Sequence, residues 1–345
     1  MNTKWRNKIW ALIIFLKSFN IVSSQIPSED PRHYILETED NFNSFNSALW
    51  NSTPNNTWGL ETYNANNVTT SNNTLTLKCE RIINGNDTSY ISGGIGTVNK
   101  KLFSYGYYEI LTQMPTKSKG YWGGFWMHSG GGQCIKGIDP GCYDVNTDTI
   151  TRIWYEIDIF EPNGNNSLDG NKFNFGSHNT ISECCTDANG TELTLPIDFS
   201  ASFNKLALIW EPNKVKVLVN GVEKYIIDDS KYVPTEPMAL FLTFQIDAAG
   251  GKPTPSTLFP AYWKYKNFKY YRLKTDCLNG ITQSNFDFVN HDYKVQKYYS
   301  LTNSTVPSNQ NIILRATDYI KLNGEFTVPL GSTLKLITHC NTCPD

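Results

Sequence analysis

The sequence lacks the features of a nucleic-acid-binding or membrane-spanning protein. Its 345 residues include 30 lysines and arginines against 32 aspartates and glutamates, giving a formal net charge of -2, and no long basic run interrupts this balance. A partner held through phosphate charge is therefore not expected. The N-terminal apolar run, Ile9 to Leu16, is too short to cross a bilayer and is followed by Lys17. Long stretches with apolar residues at helical spacing are also absent.

The chain begins with the layout of a secretory signal peptide, residues 1–24. A basic start precedes the apolar run, and Val22-Ser23-Ser24 follows it before Gln25. A buried N-terminal helix would fit the basic flank less well. No cysteine comes directly after the segment, so a lipid anchor at the cleavage point is not indicated. We expect a secreted protein, extracellular or periplasmic.

All eight cysteines follow this segment, in what would be an oxidising compartment where disulfides are the default. An even count permits many pairings, and the sequence does not choose among them. Cys134 with Cys142 is the local pair we favour, because it would close a Gly- and Asp-rich loop. Cys340 and Cys343 have the spacing of a redox or zinc pair, but no second pair accompanies them, which favours a structural staple.

Many short strands at regular spacing are predicted between turn clusters. Leu75–Cys79, Gly93–Val98 and Gly106–Gln113 show alternating or apolar runs bounded by Asn, Gly, Ser or Pro. Asn220-Gly221 is a hairpin turn signal, and Ala239–Ile246 is a further apolar strand. This pattern predicts an all-β sandwich.

One predicted strand, Trp154 to Glu161, carries three carboxylates among β-branched and aromatic residues. Side chains alternate in a strand, so Glu156 and Asp158 share a face while Glu161 should point the other way. A β-bulge at Ile159 and Phe160 would add one residue and return Glu161 to the face of the other acids. We therefore predict a line of three acids on one face.

Such a line predicts glycosidase chemistry. The two glutamates could approach to roughly 5 Å, the separation that retaining enzymes use. Glu156, held by Asp158, would stay ionised as nucleophile, and Glu161, repelled by its neighbours, would keep a proton as acid/base. An exposed hairpin with solvated acids is disfavoured by the flanking apolar residues, and burying unpaired acids for structure alone is costly.

The acid segment resembles the signature of glycoside hydrolase family 16 in its bulged form, E-x-D-x-x-E. Gly120 to Met127 is similar to the family's G-x-W-P-A-F-W-L segment. Weaker matches follow the family's order and together span Asp40 to Lys274: Phe103–Glu109, Leu208–Pro212, Val219–Gly221 and Lys266–Arg272. The resemblance implies a β-jelly-roll sandwich, retaining hydrolysis of a polysaccharide and no cofactor.

Beside the acids, the predicted substrate contacts are Tyr121, Trp122, Trp154, His178 and Gln245. The resemblance implies that Trp122 stacks on a sugar and that a histidine such as His178 lines the cleft beside the acid/base. His178 ends a predicted strand antiparallel to the acid strand. A histidine whose hydrogen bonds are satisfied and that has no catalytic role is nearly as good an interpretation. We assign Trp126 to core packing and His128 to a strand end rather than a substrate contact.

No metal ligand set is evident. The acids of the loop before the catalytic strand lack EF-hand spacing. The resemblance implies a calcium-binding aspartate in the last strand, where this chain has Asn267, so a structural calcium is not expected.

The chain divides into a polar segment 25–39, a catalytic sandwich 40–275, a linker-like segment 276–311 and a small β module 312–345. The module has no cluster of acids or histidines and is too short to carry chemistry alone. It could cap the sandwich, attach to a surface or bind glycan, and these alternatives stay open.

The predicted function is that of a monomeric endo-acting β-glycan hydrolase. The substrate would be an algal galactan, slightly favoured, or a β-1,3-glucan such as laminarin. Basic residues that could meet sulfate groups are Lys117, Lys119, Lys136 and Arg152. A non-catalytic lectin on the same fold and a glycan transglycosylase are the alternatives. A lectin has no need of both glutamates.

Overall fold

The computed structural model describes residues 31–54, 59–116, 119–129, 143–144, 149–150, 155–162, 171–182, 185–247 and 250–338. The predicted signal peptide lies outside these residues. Within them, no helix has the length and apolar character that crossing a membrane would take. The chain is almost entirely β, as predicted.

The strands of the N-terminal part pair into two sheets and one short hairpin. In chain order they are β1 (Tyr34–Asp40), β2 (Glu61–Tyr63), β3 (Val68–Ser71), β4 (Thr74–Asn84), β5 (Asp87–Ser92), β6 (Gly94–Gly96), β7 (Gly106–Gln113), β8 (Tyr121–His128), β9 (Tyr143–Asp144), β10 (Thr149–Ile150), β11 (Tyr155–Pro162), β12 (Lys172–Ser182), β13 (Cys185–Thr194), β14 (Asn204–Glu211), β15 (Lys214–Val219), β16 (Val222–Ile227), β17 (Ala239–Ile246) and β18 (Ala261–Leu273). Short 3-10 helices cover Pro31–His33 and Ala65–Asn67.

The two sheets form a sandwich. A ten-stranded sheet runs β16-β15-β14-β7-β18-β4-β5-β2, with β1 on β18 and β3 on β4. A six-stranded sheet runs β13-β12-β11-β8-β17-β6, and we call it the catalytic sheet. The core is rich in aromatic residues, such as Trp210, Trp263 and Phe160, none of which is accessible to solvent. The predicted hairpin turn joins β15 to β16, with Asn220 and Gly221 both at positive φ.

The predicted bulge is present in β11. Asp158 pairs with Gly176 of β12, but Glu161 pairs with Asn174, so three steps along β11 match two along β12. Ile159 therefore has no place in the alternation, and it is buried in the core, as the flanking Phe160 is. The extra residue restores the parity of the acids, which was the reason for predicting it.

The C-terminal part is a module with parallel pairing. Its strands are β19 (Thr275–Asp276), β20 (Ile281–Ser284), β21 (Val295–Thr302), β22 (Asn311–Asn323) and β23 (Thr333–Ile337). β19 and β20 both pair in parallel with β21, β21 pairs in parallel with β22, and β22 with β23. In the sandwich, by contrast, the described pairs are antiparallel except for β2 with β5. The module buries its own cluster of side chains, including Phe288, Tyr299 and Leu314.

The module packs onto the sandwich through a buried group that we call the interface cluster: Tyr34, Glu211, Lys214 and Arg315. Arg315 Nη1 lies 2.7 Å from Glu211 Oε1, and Lys214 Nζ lies 3.1 Å from Glu211 Oε2. The Tyr34 hydroxyl also donates to Glu211. The module is therefore joined to the sandwich by charge as well as by apolar packing.

Three predictions differ from the structure. Much of the polar segment 25–39 belongs to β1, because its alternating residues pair with β18. The linker-like segment 276–311 contains β20 and β21, whose partners are distant in sequence and left no local signal. Cys79 is free and buried within β4, so the default of disulfide pairing does not hold for it. Cys134 and Cys142 lie outside the described residues, and their pairing stays a prediction.

Candidate active site

The three acids of β11 line one cavity on the outer face of the catalytic sheet. Glu156, Asp158 and Glu161 share this cavity with side chains of β8 and β17. The opposite face of β11 presents Ile157 and Ile159 to the core, where both are fully buried. Apolar packing on one face fixes the strand, and the bulge gathers the carboxylates on the other.

Glu161 is held by two donors from neighbouring strands. Trp122 Nε1 donates to Glu161 Oε1 at 2.5 Å, and Asn174 Nδ2 donates to Oε2 at 3.3 Å. Burial, then the charge of Asp158, raises the pKa of Glu161 to about 7, against the lowering effect of both donors and of His178. A carboxyl with this pKa can hold a proton near neutral pH and release it.

Asp158 is paired with His178 of β12. His178 Nε2 lies 2.9 Å from Asp158 Oδ2. Burial lowers the pKa of His178, but the hydrogen bond to Asp158 and the charges of Asp158, Glu156 and Glu161 outweigh it and raise the pKa to about 9. The pair is therefore an ion pair at neutral pH, and the imidazolium is the positive charge that faces the three acids.

The pKa of Glu156 does not agree with the prediction that Asp158 would keep this carboxylate ionised. Burial, then the charge of Asp158, raises the pKa of Glu156 well above its usual value, and His178 opposes this shift. Asp158 is a like charge, so it favours the neutral form of Glu156. The ionised nucleophile is instead favoured by the positive charge of His178.

Ligand atoms of Glu156, Asp158 and His178 lie within 4.8 Å of one another, close enough to hold a metal ion. In the structure, His178 Nε2 is instead engaged with Asp158 Oδ2, 2.9 Å away. Asn267 lies at positive φ within β18, where β18 is irregular against β7. It offers an amide where the family resemblance implies a carboxylate, so we derive no step through calcium. The absence of a metal stays a prediction.

The cavity walls come from residues that alternate along β8 and β17. Trp122 and Gln245 are register partners and both line the cavity, and their contact with substrate stays a prediction. Trp126 also lines it, stacked on Phe241 with ring centroids 4.4 Å apart. Trp126 packs against Phe241 in a small buried cluster of its own, so its assignment to core packing is confirmed. This cluster lies on the cavity face, because Trp126 shares the parity of Trp122.

Tyr121 is not a substrate contact. Its neighbour Trp122 faces the cavity, so alternation turns Tyr121 inward, where it packs edge-on against Phe244 and Phe259. Its hydroxyl donates to the carbonyl of Leu258. Trp154 lies outside the described residues, and its contact with substrate stays a prediction.

A second depression adjoins the acids on the side of β12 and β13. It meets the cavity at Asp158 and Glu161 and includes His178. Small or polar residues form its floor and rim: Asn174, Gly176, Ala188, Gly190, Thr191 and Glu192. Among the described residues lining either depression there is no lysine or arginine. The site is a groove across the sheet, acidic at its centre, with room on both sides of the acids.

A comparison with known protein families assigns the chain that carries this groove to one of them. The model of glycosyl hydrolases family 16 matches residues 55–264, more than half of the chain. The chain belongs to glycoside hydrolase family 16. This family 16 chain is a glycoside hydrolase by fold, and the resemblance carried by the acid motif is confirmed. No curated protein matches the sequence.

Solved structures agree with the family 16 assignment. The laminarinase catalytic domain of Thermotoga maritima shares 22% identity at a TM-score of 0.55, over 69% of this chain and 98% of that one. The endo-β-1,3-glucanase of Pyrococcus furiosus shares 23% at 0.56, over 72% and 97%. The κ-carrageenase of Pseudoalteromonas carrageenovora shares 20% at 0.56, over 72% and 99%. At these identities the likeness concerns the fold.

Proposed function

We propose that this chain is a secreted, monomeric, endo-acting hydrolase that cleaves β-linkages of a neutral polysaccharide with retention of configuration. The observation that supports it most is the acid pair of β11. Glu156 and Glu161 line one cavity, and the bulge between them brings both carboxylates to the same face of the sheet. The open groove on both sides of the acids supports endo rather than terminal cleavage.

In the first step, Glu156 attacks the anomeric carbon as Glu161 gives its proton to the leaving oxygen. The glycosidic C–O bond breaks and a covalent ester of Glu156 forms. The pKa of about 7 supports this use of Glu161. The charge of His178 lowers the pKa of Glu156 against the larger raising effects of burial and Asp158, and so favours the ionised form that attacks.

In the second step, Glu161 takes a proton from water, and the oxygen attacks the anomeric carbon and releases Glu156. Glu161 is ionised at this stage and keeps Trp122 and Asn174 as donors. If a sugar hydroxyl attacks instead, the outcome is transglycosylation.

The charge of the groove bears on the substrate. A sulfated galactan needs cations along its path, and among the described lining residues there are none apart from His178. Lys119, the described member of the basic residues proposed for sulfate, is exposed and lies outside both depressions. Lys117, Lys136 and Arg152 lie outside the described residues. The described lining therefore favours a neutral glycan, either a laminarin-type glucan or an unsulfated agarose-type galactan, over carrageenan or porphyran.

The test is the release of reducing ends by the mature protein from laminarin, mixed-linkage glucan, agarose, porphyran and carrageenans, beside Glu156→Ala. We expect release from a neutral polymer by the wild type alone. Release from sulfated polymers only would overturn the substrate proposal. Binding without release would support a lectin, and products longer than the substrate a transglycosylase.

A further inference from the structure

The nucleophile position of β11 has a histidine on each side. In the register of the sheet, Glu156 pairs with His178 of β12 and with His128 of β8. His178 is engaged with Asp158, whereas His128 Nε2 lies 3.9 Å from Glu156 Oε2. The two imidazoles therefore serve different acids.

His128 is fixed in place. Its side chain has no solvent exposure, and its ring meets Trp126 edge-on with centroids 6.5 Å apart. On its other side, the register partner in β17 is Ala239, which brings no charge. Burial, then the charge of His178, lowers the pKa of His128 to about 3. The imidazole is thus neutral at any pH at which the acid/base can work.

A neutral imidazole has one N–H to give and adds no net charge. Glu161 already has donors in Trp122 and Asn174. A donor at Glu156 would favour its ionised form, which burial and Asp158 disfavour. Catalytic hydrogen bonds are often long without substrate and shorten in the complex.

We propose that His128 is a positioning residue for the nucleophile, whose Nε2–H donates to the Glu156 carboxylate when substrate occupies the cavity. The inference rests on the proposed retaining mechanism. It replaces the assignment of His128 to a strand end. The groups that face Glu156 are His128 from β8, His178 from β12, and Asp158 and Glu161 from its own strand.

The test compares His128→Leu, which removes the donor, with His128→Gln, which keeps one, using the full chain and the polymer on which the wild type is active. Met127→Leu is the matched control, since Met127 is buried on the core face of the same strand. Readouts are kcat, KM, the pH profile of kcat, the rate of inactivation by an activated 2-fluoroglycoside, and Tm.

For His128→Leu we expect kcat to fall about 10- to 100-fold, the loss typical of a hydrogen bond to a charged group, with KM changed little. Without the donor the pKa of Glu156 in the substrate complex rises, so the acid limb of kcat should move to higher pH and inactivation should slow. His128→Gln should recover most of both, and Met127→Leu should behave as wild type.

An acid limb that stays in place in His128→Leu, or a His128→Gln variant as impaired as His128→Leu in a folded protein, would overturn the inference. A lower Tm with kcat and the limb intact would assign His128 to packing and overturn it as well. An inactive wild type would instead be a failure of the proposed function.

Discussion

The interface cluster and the active site are both buried groups of charged residues, and they differ in the balance of positive and negative charge. In the interface cluster, the single carboxylate of Glu211 has no solvent exposure and meets the two cations Arg315 and Lys214. In the active site, three carboxylates face one imidazolium, that of His178. The first group is compensated, and the second has an excess of acid.

The difference separates structural from chemical use of buried charge. A buried carboxylate costs several kcal/mol unless it is paired, and Glu211 meets that requirement with partners on both oxygens. The acids of β11 do not, so the pKa of Glu161 moves to about 7 and that of Glu156 also rises. Carboxyl groups at a cavity wall that lack a matching cation have raised pKa values. Such groups can exchange protons near neutral pH.

Removal of the nucleophile gives the sharpest contrast between the two groups. In Glu156→Ala, kcat should fall on the order of 10⁴-fold or more, because no covalent ester can form. Stability should not fall, since the change relieves repulsion among the acids. Steady-state kinetics and thermal unfolding measure both quantities. Substantial turnover in this variant, on a substrate with a natural leaving group, would remove Glu156 from the chemistry.

The opposite result is expected at the interface cluster. Arg315→Met leaves Glu211 buried without its closest cation and should lower the free energy of unfolding by about 3–5 kcal/mol. At a temperature where the variant stays folded, kcat should be unchanged. The control is Lys172→Met, which breaks the exposed 3.2 Å pair with Glu192 and should cost less than about 1 kcal/mol. Equal losses in the two variants would contradict the account of the interface cluster.

The smallest expected effect is a shift in the pH dependence of activity. Glu161 must be protonated to act as acid, so kcat should fall as the pH rises through a value of about 7, its pKa. In Asp158→Asn a neighbouring negative charge is gone, the pKa of Glu161 falls, and the alkaline limb should move to lower pH by about one unit. A limb that stays in place would assign it to a group other than Glu161.

The β-bulge in β11 is a feature of the site that could be predicted from the sequence. Three acids at positions 156, 158 and 161 do not share a face in a regular strand, and the apolar pair Ile159 and Phe160 offers the place to correct it. Parity alone therefore predicted the geometry of the acids. Applied to β8, the same rule separates Tyr121 from Trp122 and turns Tyr121 towards the core, so the sequence already argued against Tyr121 as a substrate contact.

Other features had no local signal. Parallel pairing in the module joins strands about 20 residues apart, such as Tyr299 with Ile320. The local sequence of either strand does not identify the strand with which it pairs. Glu211 lies three residues from Lys214, which in sequence is indistinguishable from a surface ion pair. The contact between His128 and Glu156 follows from the register of β8 and β11, and register is a property of the whole sheet.

The most direct test of the acid pair is chemical rescue with azide. An activated β-aryl glycoside of the preferred sugar would be given to Glu161→Ala and to Glu156→Ala, and the products analysed by NMR. The account predicts that azide restores turnover in both, with a β-glycosyl azide from Glu161→Ala, formed through the ester of Glu156, and an α-glycosyl azide from Glu156→Ala. The same anomer from both variants, or the reverse assignment, would contradict a retaining pair in which Glu156 is the nucleophile.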